Sequence, residues 1–461
     1  MKSLACLVVS LLLVATPDAV AQGVSFEIIA PGPSSQAIRV SANGDFVVGS
    51  GFLWSKAGGL ITNFGAPGTL WGVTDDGSIA AGPFFNGSNI EEAGVWDSTN
   101  GLSFKGAHAA GNSCGADLSH LFGLSADGST AAGMSWQACK TWPIRWTDGV
   151  GITLLAKQNA TSSARASALS ANGLVAGGWD QGLAGGGGSS RRACLWTDDM
   201  TQLFVATTPG NPNGLGEVSD VNTDGSICCG TTQNQAYRWT AGGGLELLPN
   251  VSGLGGQYYA NGIADDGSTA VGVRLQFPTA QGIIWPKGGG AMTMQEFLAA
   301  NGVPGVSAND VRNCTGISDD GTVICGWGNS GAWIVTIDET WEDLGNGLSG
   351  THGEPLLTGS GDLSAGSVAT LQLENALENA SVGLVMGLSA LNAPFKGGVL
   401  VPEADFVFLG LTTSPAGALE VSSVWPAGVP SGFVTYFQEW VFDPIGPSGF
   451  AASNGLGGTA P

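Results

Sequence analysis

The sequence predicts an all-β protein, a seven-bladed β-propeller followed by a small β-sandwich. Three observations predict it. One short motif recurs seven times, its turn glycines about 46 residues apart on average. Each copy is followed by a tryptophan. The chain of 461 residues holds 76 Gly but only 11% charged residues. Glycine inside a helix or strand costs ~0.5–1 kcal/mol relative to Ala, so this many glycines belong mostly to turns. A period of 40–50 residues with four short strands is the signature of a propeller blade, whereas a β-helix repeats at about half that length.

The first element is an export signal, expected over residues 1–21. Lys2 gives the positive start, Leu4 to Ala15 an apolar run, and Ala19-Val20-Ala21 a small-residue cleavage site. The run is too short to cross a bilayer, and no second apolar span follows. The processed chain begins near Gln22.

The propeller is expected over residues 22–339. Its copies include "RVSANGDFVVG", "GLSADGSTAAG" and "GISDDGTVICG", with turn glycines at Gly44, Gly77, Gly128, Gly173, Gly225, Gly267 and Gly321. The tryptophans are Trp54, Trp96, Trp146, Trp196, Trp239, Trp285 and Trp333. Each copy reads as strands a, b, c and d: a enters the Asx-Gly turn, b leaves it, c carries the tryptophan and d closes the unit. Asx-Gly between alternating apolar runs is a hairpin signal, because Gly supplies positive φ. A calcium loop needs oxygen ligands at fixed positions, and the residue before the Asx varies among Asp, Ala and Thr; the plain turn is the expectation. The last copy lacks a strand d. "FEIIAPG" (Phe26–Gly32) resembles the strand-d run "LELLPN", so residues 24–30 are expected to complete blade seven. "MTMQEFL" (Met292–Leu298) reads as a short packing helix before that blade.

The "SADG/SDDG" turn, the glycine five residues after it (Gly133, Gly272, Gly326) and the "RWT" after strand b resemble the extracellular HAF repeats of secreted bacterial proteins. The resemblance covers about residues 37–337. Copy four departs from it, with Gly177 only four residues after Gly173. The remainder also resembles a C-terminal domain that recurs on secreted bacterial proteins, through "LTGSGDLSAGS", "PFKGG", "YFQEWVFD" and the final "ASNGL…TAP". These resemblances imply export and β architecture, and no catalytic residue or cofactor.

Residues 340–461 read independently as a β-sandwich. "VTYFQEWVFD" mixes alternating and continuous apolar positions, as a core strand does. "GGVLVPEADFVFLGL" and "GALEVSSVW" are further strands between Pro/Gly turns. "GNGLSGTHGEP" (Gly345–Pro355) is the expected hinge.

Charge excludes one class of partner. The chain carries 15 Lys+Arg against 37 Asp+Glu, a net charge of -22, so it lacks the basic face that nucleic acid requires. In a four-strand meander the a–b and c–d turns share one end, and the longer b–c and d–a connections share the other. Variable loops on a rigid scaffold carry binding. The ligand-binding candidates on that loop end are Trp136, Trp179, Trp327, Tyr258, Arg191 and Arg192, with Trp71, Phe84, Phe85 and Tyr259 beside them. Exposed Trp and Tyr stack on sugar rings, and Arg pairs with carboxylates; packing beneath their own loops is the plainer reading of the aromatics.

Seven cysteines remain after export processing. Disulfides are expected for Cys114–Cys139 and Cys314–Cys325, and Cys194 has Cys228 or Cys229 as alternatives. No CxxC motif occurs. "GNSCG" (Gly111–Gly115) has the G-x-S-x-G form but sits in a loop, where the required strand-to-helix elbow is absent. His108, His120 and His352 are the only histidines and form no metal-ligand spacing. No cofactor is expected. The reading is an exported, non-enzymatic binding or scaffold module for a glycan or cell-surface partner. The alternatives are a carbohydrate-active enzyme with acids in the channel mouth, and a purely structural envelope protein.

Overall fold

The computed structural model describes residues 23–460 except 63, 109–117, 183–190, 198–200, 206–215, 288, 339, 362 and 431. The expected export signal, Cys114 and "GNSCG" lie outside the described residues. The chain divides into two compact units, one of residues 25–336 and one that includes residues 337–461. No helix of the described residues is long and apolar enough to cross a membrane.

Among the described residues, the first unit is built from seven four-stranded sheets. Six are meanders of consecutive strands, from sheet one (Ala37–Val40 to Gly59–Ile61) to sheet six (Gln257–Ile263 to Met292–Thr293). Sheet seven has the order Gly23–Pro31, Gly331–Asp338, Val323–Trp327, Asn313–Ile317. Its outer strand therefore comes from the start of the described chain. Each sheet packs on the next. Val48, Leu53, Val73 and Ala80 join sheets one and two, and Ala168, Leu195, Val218 and Tyr237 join four and five. Ile29, Ala37, Val47, Cys325 and Ala332 join seven back to one. The ring is closed and β-propeller-like.

The repeat glycine has a steric cause. Strand a bulges in six of the sheets, for example between Leu121 and Gly123. A Cβ on Gly133 would come 1.9 Å from the His120 carbonyl oxygen, and one on Gly326 2.1 Å from that of Asn313. Nothing larger than hydrogen fits there. In copy four this place is held by Gly178, five residues after Gly173, with its Cβ position 2.0 Å from the Arg165 oxygen. Copy four is thus in register, and Gly177 is an additional glycine packed on Val218 and Val221.

Four of the strand-c tryptophans, Trp54, Trp146, Trp196 and Trp285, are buried in the cores between sheets. Trp196 and Trp285 donate their indole N–H to the carbonyls of Ala156 (2.6 Å) and Pro249 (2.7 Å). Trp333 is offset: it stands opposite Gly326, while Val335 occupies the register position of the other tryptophans. It packs instead near Phe26 of the closing strand, ring centroids 6.0 Å apart. "MTMQEFL" splits into strand d of sheet six (Met292–Thr293) and a helix, Met294–Ala300. Thr293 and Glu296 form a capping box that starts the helix.

The second unit has a larger sheet, built on the order Trp341–Asp343, Leu456–Thr459, Val434–Phe442, Ser381–Gly387, Phe406–Thr412, and a three-stranded one, Leu356–Ser360, Val368–Glu374, Leu419–Val424. Both contribute to one core: Leu357, Leu371 and Leu373 from the smaller sheet meet Val382, Leu384, Phe437 and Val441 from the larger. The expected hinge, residues 345–355, lies inside this unit, where Leu348 and Ala452 exchange backbone hydrogen bonds.

Candidate functional site

The turn end of the ring is built from the Asx-Gly repeats. In sheet seven the Ser318 hydroxyl donates to Asp320 (2.5 Å) and accepts from the Val323 N–H (2.9 Å). The Asp320 carboxylate also accepts from the Thr322 N–H at 2.9 Å. Thr74, Ser125 and Ser170 repeat this pattern on Asp76, Asp127 and Asn172. The carboxylates are spent on the turn. Hydrogen bonds from Thr74 and Ser78 hold Asp76 down to about 2, and the Ser129 N–H and Ser125 hydroxyl lower Asp127.

Residues that precede the Asx take part in hydrogen bonds linking most of the turns to their neighbours. The Asp265 N–H donates to Asp319 O (2.8 Å), Asp319 N–H to Ala42 O (2.8 Å), and Asn172 N–H to Thr223 O (3.1 Å). Thr223 donates its hydroxyl to Asp319 (2.5 Å) and its N–H to Asp265 (2.8 Å). Inside this collar lies a cavity of ≈ 90 Å³ whose lining includes Arg39, Trp71, Asp75, Asp220, Thr223 and Asp319. Arg39 of sheet one reaches Asp220 of sheet five at 2.6 Å and the Ser219 carbonyl at 2.8 Å. Burial raises Asp220, and the Arg39 guanidinium and the Ile263 N–H pull it back. Burial raises Asp319 too. The Thr223 hydroxyl opposes that shift, and the charges of Asp265, Asp220 and Asp75 add to it. A volume of ≈ 90 Å³ lies below the ~300 Å³ of a small-molecule pocket.

The loop end differs in chemistry. Arg165, at the start of strand a in sheet four, lies 5.3 Å from the Phe122 ring and 5.7 Å from Trp179, and pairs with Glu217 of sheet five. Arg191 stacks on Trp179 at 4.4 Å and reaches the other Glu217 oxygen at 3.2 Å. Arg192 stacks on Phe204 at 3.8 Å and donates to Gln158 at 2.8 Å. Next to Gln158, Lys157 sits 3.5 Å over Trp142 and donates to the Ser162 carbonyl at 2.7 Å. Burial pulls Lys157 down to about 8; Asp180 opposes the shift and Lys140 adds to it. On the far side of Phe122, His120 meets Glu91 at 3.0 Å, and Trp71 packs edge-on at 5.1 Å.

The candidates read from the sequence divide accordingly. Arg191 and Arg192 belong to this cationic cluster. Trp179 is its buried floor, 5% exposed, rather than a free platform. Trp136 and Trp327 are half-buried; Trp327 lies in sheet seven with Arg312 5.8 Å from its ring. Tyr258 is removed from the set. It is 1% exposed in the core between sheets five and six and donates to the Leu254 carbonyl at 3.0 Å. Phe84 is likewise buried, at 1%. Arg39, Asp220, Asp319, Arg165 and Glu217 were missed. They lie in strands or turns whose sequence looks structural, and only ring closure brings residues 39 and 220 together.

The Cys314–Cys325 disulfide is corrected: both are buried free thiols. The bulge pairs Cys314 with Gly326 and Gly316 with Cys325. Cys314 then faces sheet six, close to Gly282, while Cys325 joins the core shared with sheet one. Cys194, Cys228 and Cys229 are free as well, so Cys194 has no bond to either alternative. Cys139 is disulfide-bonded. Among the described residues no group of three His, Cys, Asp or Glu side chains is arranged to hold a metal ion.

No protein-family model and no curated protein matches the chain. Among solved structures it is similar to TolB from Acinetobacter baumannii, at 12% identity and a TM-score of 0.35 over 56% of this chain and 62% of that one. It is also similar to oligogalacturonate lyase from Vibrio parahaemolyticus, at 10% identity and a TM-score of 0.42 over 70% of this chain and 99% of that one. Likeness at this level carries no information about activity.

Proposed function

We propose that this chain is an exported member of the HAF-repeat group: a seven-bladed propeller with a C-terminal sandwich, acting as a non-enzymatic binding module. The loop end of the ring engages a glycan or a cell-surface partner. One observation carries the reading. The two ends of the channel are unequal: the turn end is collared by interlocked turns around ≈ 90 Å³, while the loop end presents half-exposed Arg191 stacked on Trp179 beside long connections. Proteins use such rigid, ring-anchored cation–aromatic pairs to hold ligands at little entropic cost.

The enzyme reading draws on Asp220 and Asp319, two carboxyls raised by burial in one cavity. Its difficulty is size and saturation. Asp220 is engaged by Arg39 and Ile263, Asp319 by Thr223, and the cavity of ≈ 90 Å³ is small beside the ~300 Å³ of a small-molecule pocket.

The test is an array of neutral and charged glycans probed with protein beginning at Gln22. Saturable binding without turnover of the bound glycan supports the module. Product formation abolished by Asp319→Asn moves the assignment to the enzyme. A folded protein that binds no glycan and captures no surface protein leaves the structural role.

A further inference from the structure

We infer that the collar at the turn end is a proton-operated clasp: with a proton on the Asp319 carboxyl the turns of sheets five, six and seven are held tightest, and loss of that proton loosens them from one another. The device is separate from the loop end and from whatever binds there. The axial cavity draws on one repeated position, the residue before the Asx: Ala42, Asp75, Ala126, Ala171, Thr223 and Asp319 line it. In sheet six that position is Asp265, which accepts from the Thr223 N–H and donates its own N–H to the Asp319 carbonyl.

Strand a adds Arg39 from sheet one and Asp220 from sheet five to the lining. Sheets one, two, five, six and seven thus bring Arg39, Asp75, Asp220, Asp265 and Asp319 to the collar, while sheets three and four bring alanine. The other acids of these turns are used locally. Asp76, Asp127, Asp224, Asp266 and Asp320 accept from N–H groups of their own turns, and Asp45 accepts from the Asn43 side chain at 3.2 Å. The cation is committed, because Arg39 donates to Asp220 and to the Ser219 carbonyl. Burial raises Asp319, and the charges that bear on it, those of Asp265, Asp220 and Asp75, are all negative and add to the shift; the Thr223 hydroxyl opposes it.

Three turns depend on this arrangement. Thr223 of sheet five gives its hydroxyl to Asp319 of sheet seven (2.5 Å), past sheet six, and its N–H to Asp265 of sheet six (2.8 Å). A protonated Asp319 keeps lone pairs for the Thr223 hydroxyl and sheds the charge that its acidic neighbours oppose. An ionised one is relieved by separating the turns and admitting water, where the carboxyl returns to its ordinary value of 3.8. The closed collar therefore holds the proton more tightly than the loosened one. The clasp is complete below that ordinary value and fades as pH rises through the raised one. One proton sets the limit, about tenfold in the ratio of loose to closed per pH unit. Sheets three and four supply a control: the Ala126 N–H donates to the Ala171 carbonyl, a link with no carboxyl in it.

The test follows amide hydrogen exchange in the full chain from Gln22 and in Asp319→Asn, a neutral near-isostere that still accepts from Thr223. Rates are corrected for intrinsic base catalysis and compared between about pH 4 and 7, where Asp76, Asp127, Asp224 and Asp266 stay ionised. The expected result is a loss of protection at the Asp265 amide of up to about tenfold per pH unit, with a flat profile at Ala126. In Asp319→Asn both amides should be flat, and Asp265 should keep its high protection. A profile as steep at Ala126 as at Asp265, or a fall that survives the substitution, overturns the clasp. Carbon-13 titration of the unsubstituted protein decides the matter if the variant does not fold. The Asp319 midpoint is expected above 3.8, and a midpoint at or below that value overturns the proposal. Asp265→Asn, which keeps an acceptor for the Thr223 N–H, should move the midpoint down; an unmoved midpoint overturns the like-charge cause. None of these readouts involves a ligand, so failure here leaves the binding-module reading untouched.

Discussion

Arg39 and Asp220 stand 181 residues apart in the chain and 2.6 Å apart in space, on strands from the first and fifth sheets. Removing the cation leaves a carboxylate whose surroundings disfavour charge. Loss of one partner of a buried pair costs ~3–5 kcal/mol. Because both side chains retain slight exposure, Arg39→Met is expected to cost about 3 kcal/mol, read from denaturant unfolding of the ring. Arg39→Met/Asp220→Leu should recover part of it; a double variant as unstable as the sum of both single ones shows that the pair is not coupled.

The bulge glycine makes a sharper case. Gly133→Ala drives a methyl into the His120 carbonyl, and backbone cannot step aside as a side chain can. A loss of about 2–4 kcal/mol is expected. Gly242→Ala, where a Cβ meets nothing within 4 Å, should change stability by less than about 0.5 kcal/mol. Equal effects at the two positions contradict the steric account.

Glu439 is fully buried on the core side of Val434–Phe442, between Phe437 and Val441, and neither carboxyl oxygen has a hydrogen-bond partner. Burial pushes it up from 4.5 to about 8. Between these values the unfolded chain ionises and the folded one does not. The stability of the C-terminal unit therefore falls as pH rises from 4.5 and levels off above about 8. The deficit at pH 7 is on the order of 3 kcal/mol. Glu439→Leu should raise the transition of this unit at pH 7.5 and flatten its pH dependence; an unchanged pH profile shows that the carboxyl reaches a partner or solvent.

The Asx turns should ignore calcium. Their oxygens are used internally, so adding calcium or a chelator should leave the unfolding midpoint unmoved. Acid is another matter. Asp76, Asp127, Asp224 and Asp266 are held below their ordinary value. Their contribution is complete above about pH 4 and is lost as pH falls through their lowered values, about 2 for Asp76. Thr74→Val, which removes the main donor to Asp76, should bring its carbon-13 titration midpoint back toward 3.8.

Thiol chemistry gives a fifth check. Burial raises Cys194, Cys229, Cys228, Cys314 and Cys325. All five should resist alkylation in the native protein and react after denaturation. Cys139 should stay blocked until reductant is added. A non-reducing peptide map that links Cys314 to Cys325 contradicts the opposite-face placement.

Local signals made the four-stranded sheets legible in the sequence. "SDDGT" names its own hairpin because its hydroxyl, carboxylate and glycine satisfy one another within a few residues. The two-fold period of strand b then fixes which side chains enter the cores. What the sequence withheld was register and assembly. The opposite faces of Cys314 and Cys325 depend on where a bulge falls, since a bulge moves every later side chain to the other face. The Trp333 offset is set by the register of an unbroken ladder, and the burial of Tyr258 by the packing of sheets five and six. The cationic cluster was legible in part: Arg191-Arg192 stands out in an acidic chain, whereas Arg165, Glu217 and Lys157 become neighbours only when sheets three, four and five are stacked.

The strand Gly331–Asp338 runs directly into the C-terminal unit, and in its sheet it lies between Gly23–Pro31 and Val323–Trp327. Tension on that unit is therefore delivered to an inner strand zipped along both edges, not to an outer ribbon that could peel. To open the ring by pulling from this side, two ladders of hydrogen bonds must be broken rather than one. A protein tethered through its C-terminal unit would keep its ring intact under drag, and the segment Gly23–Pro31 acts as the clasp.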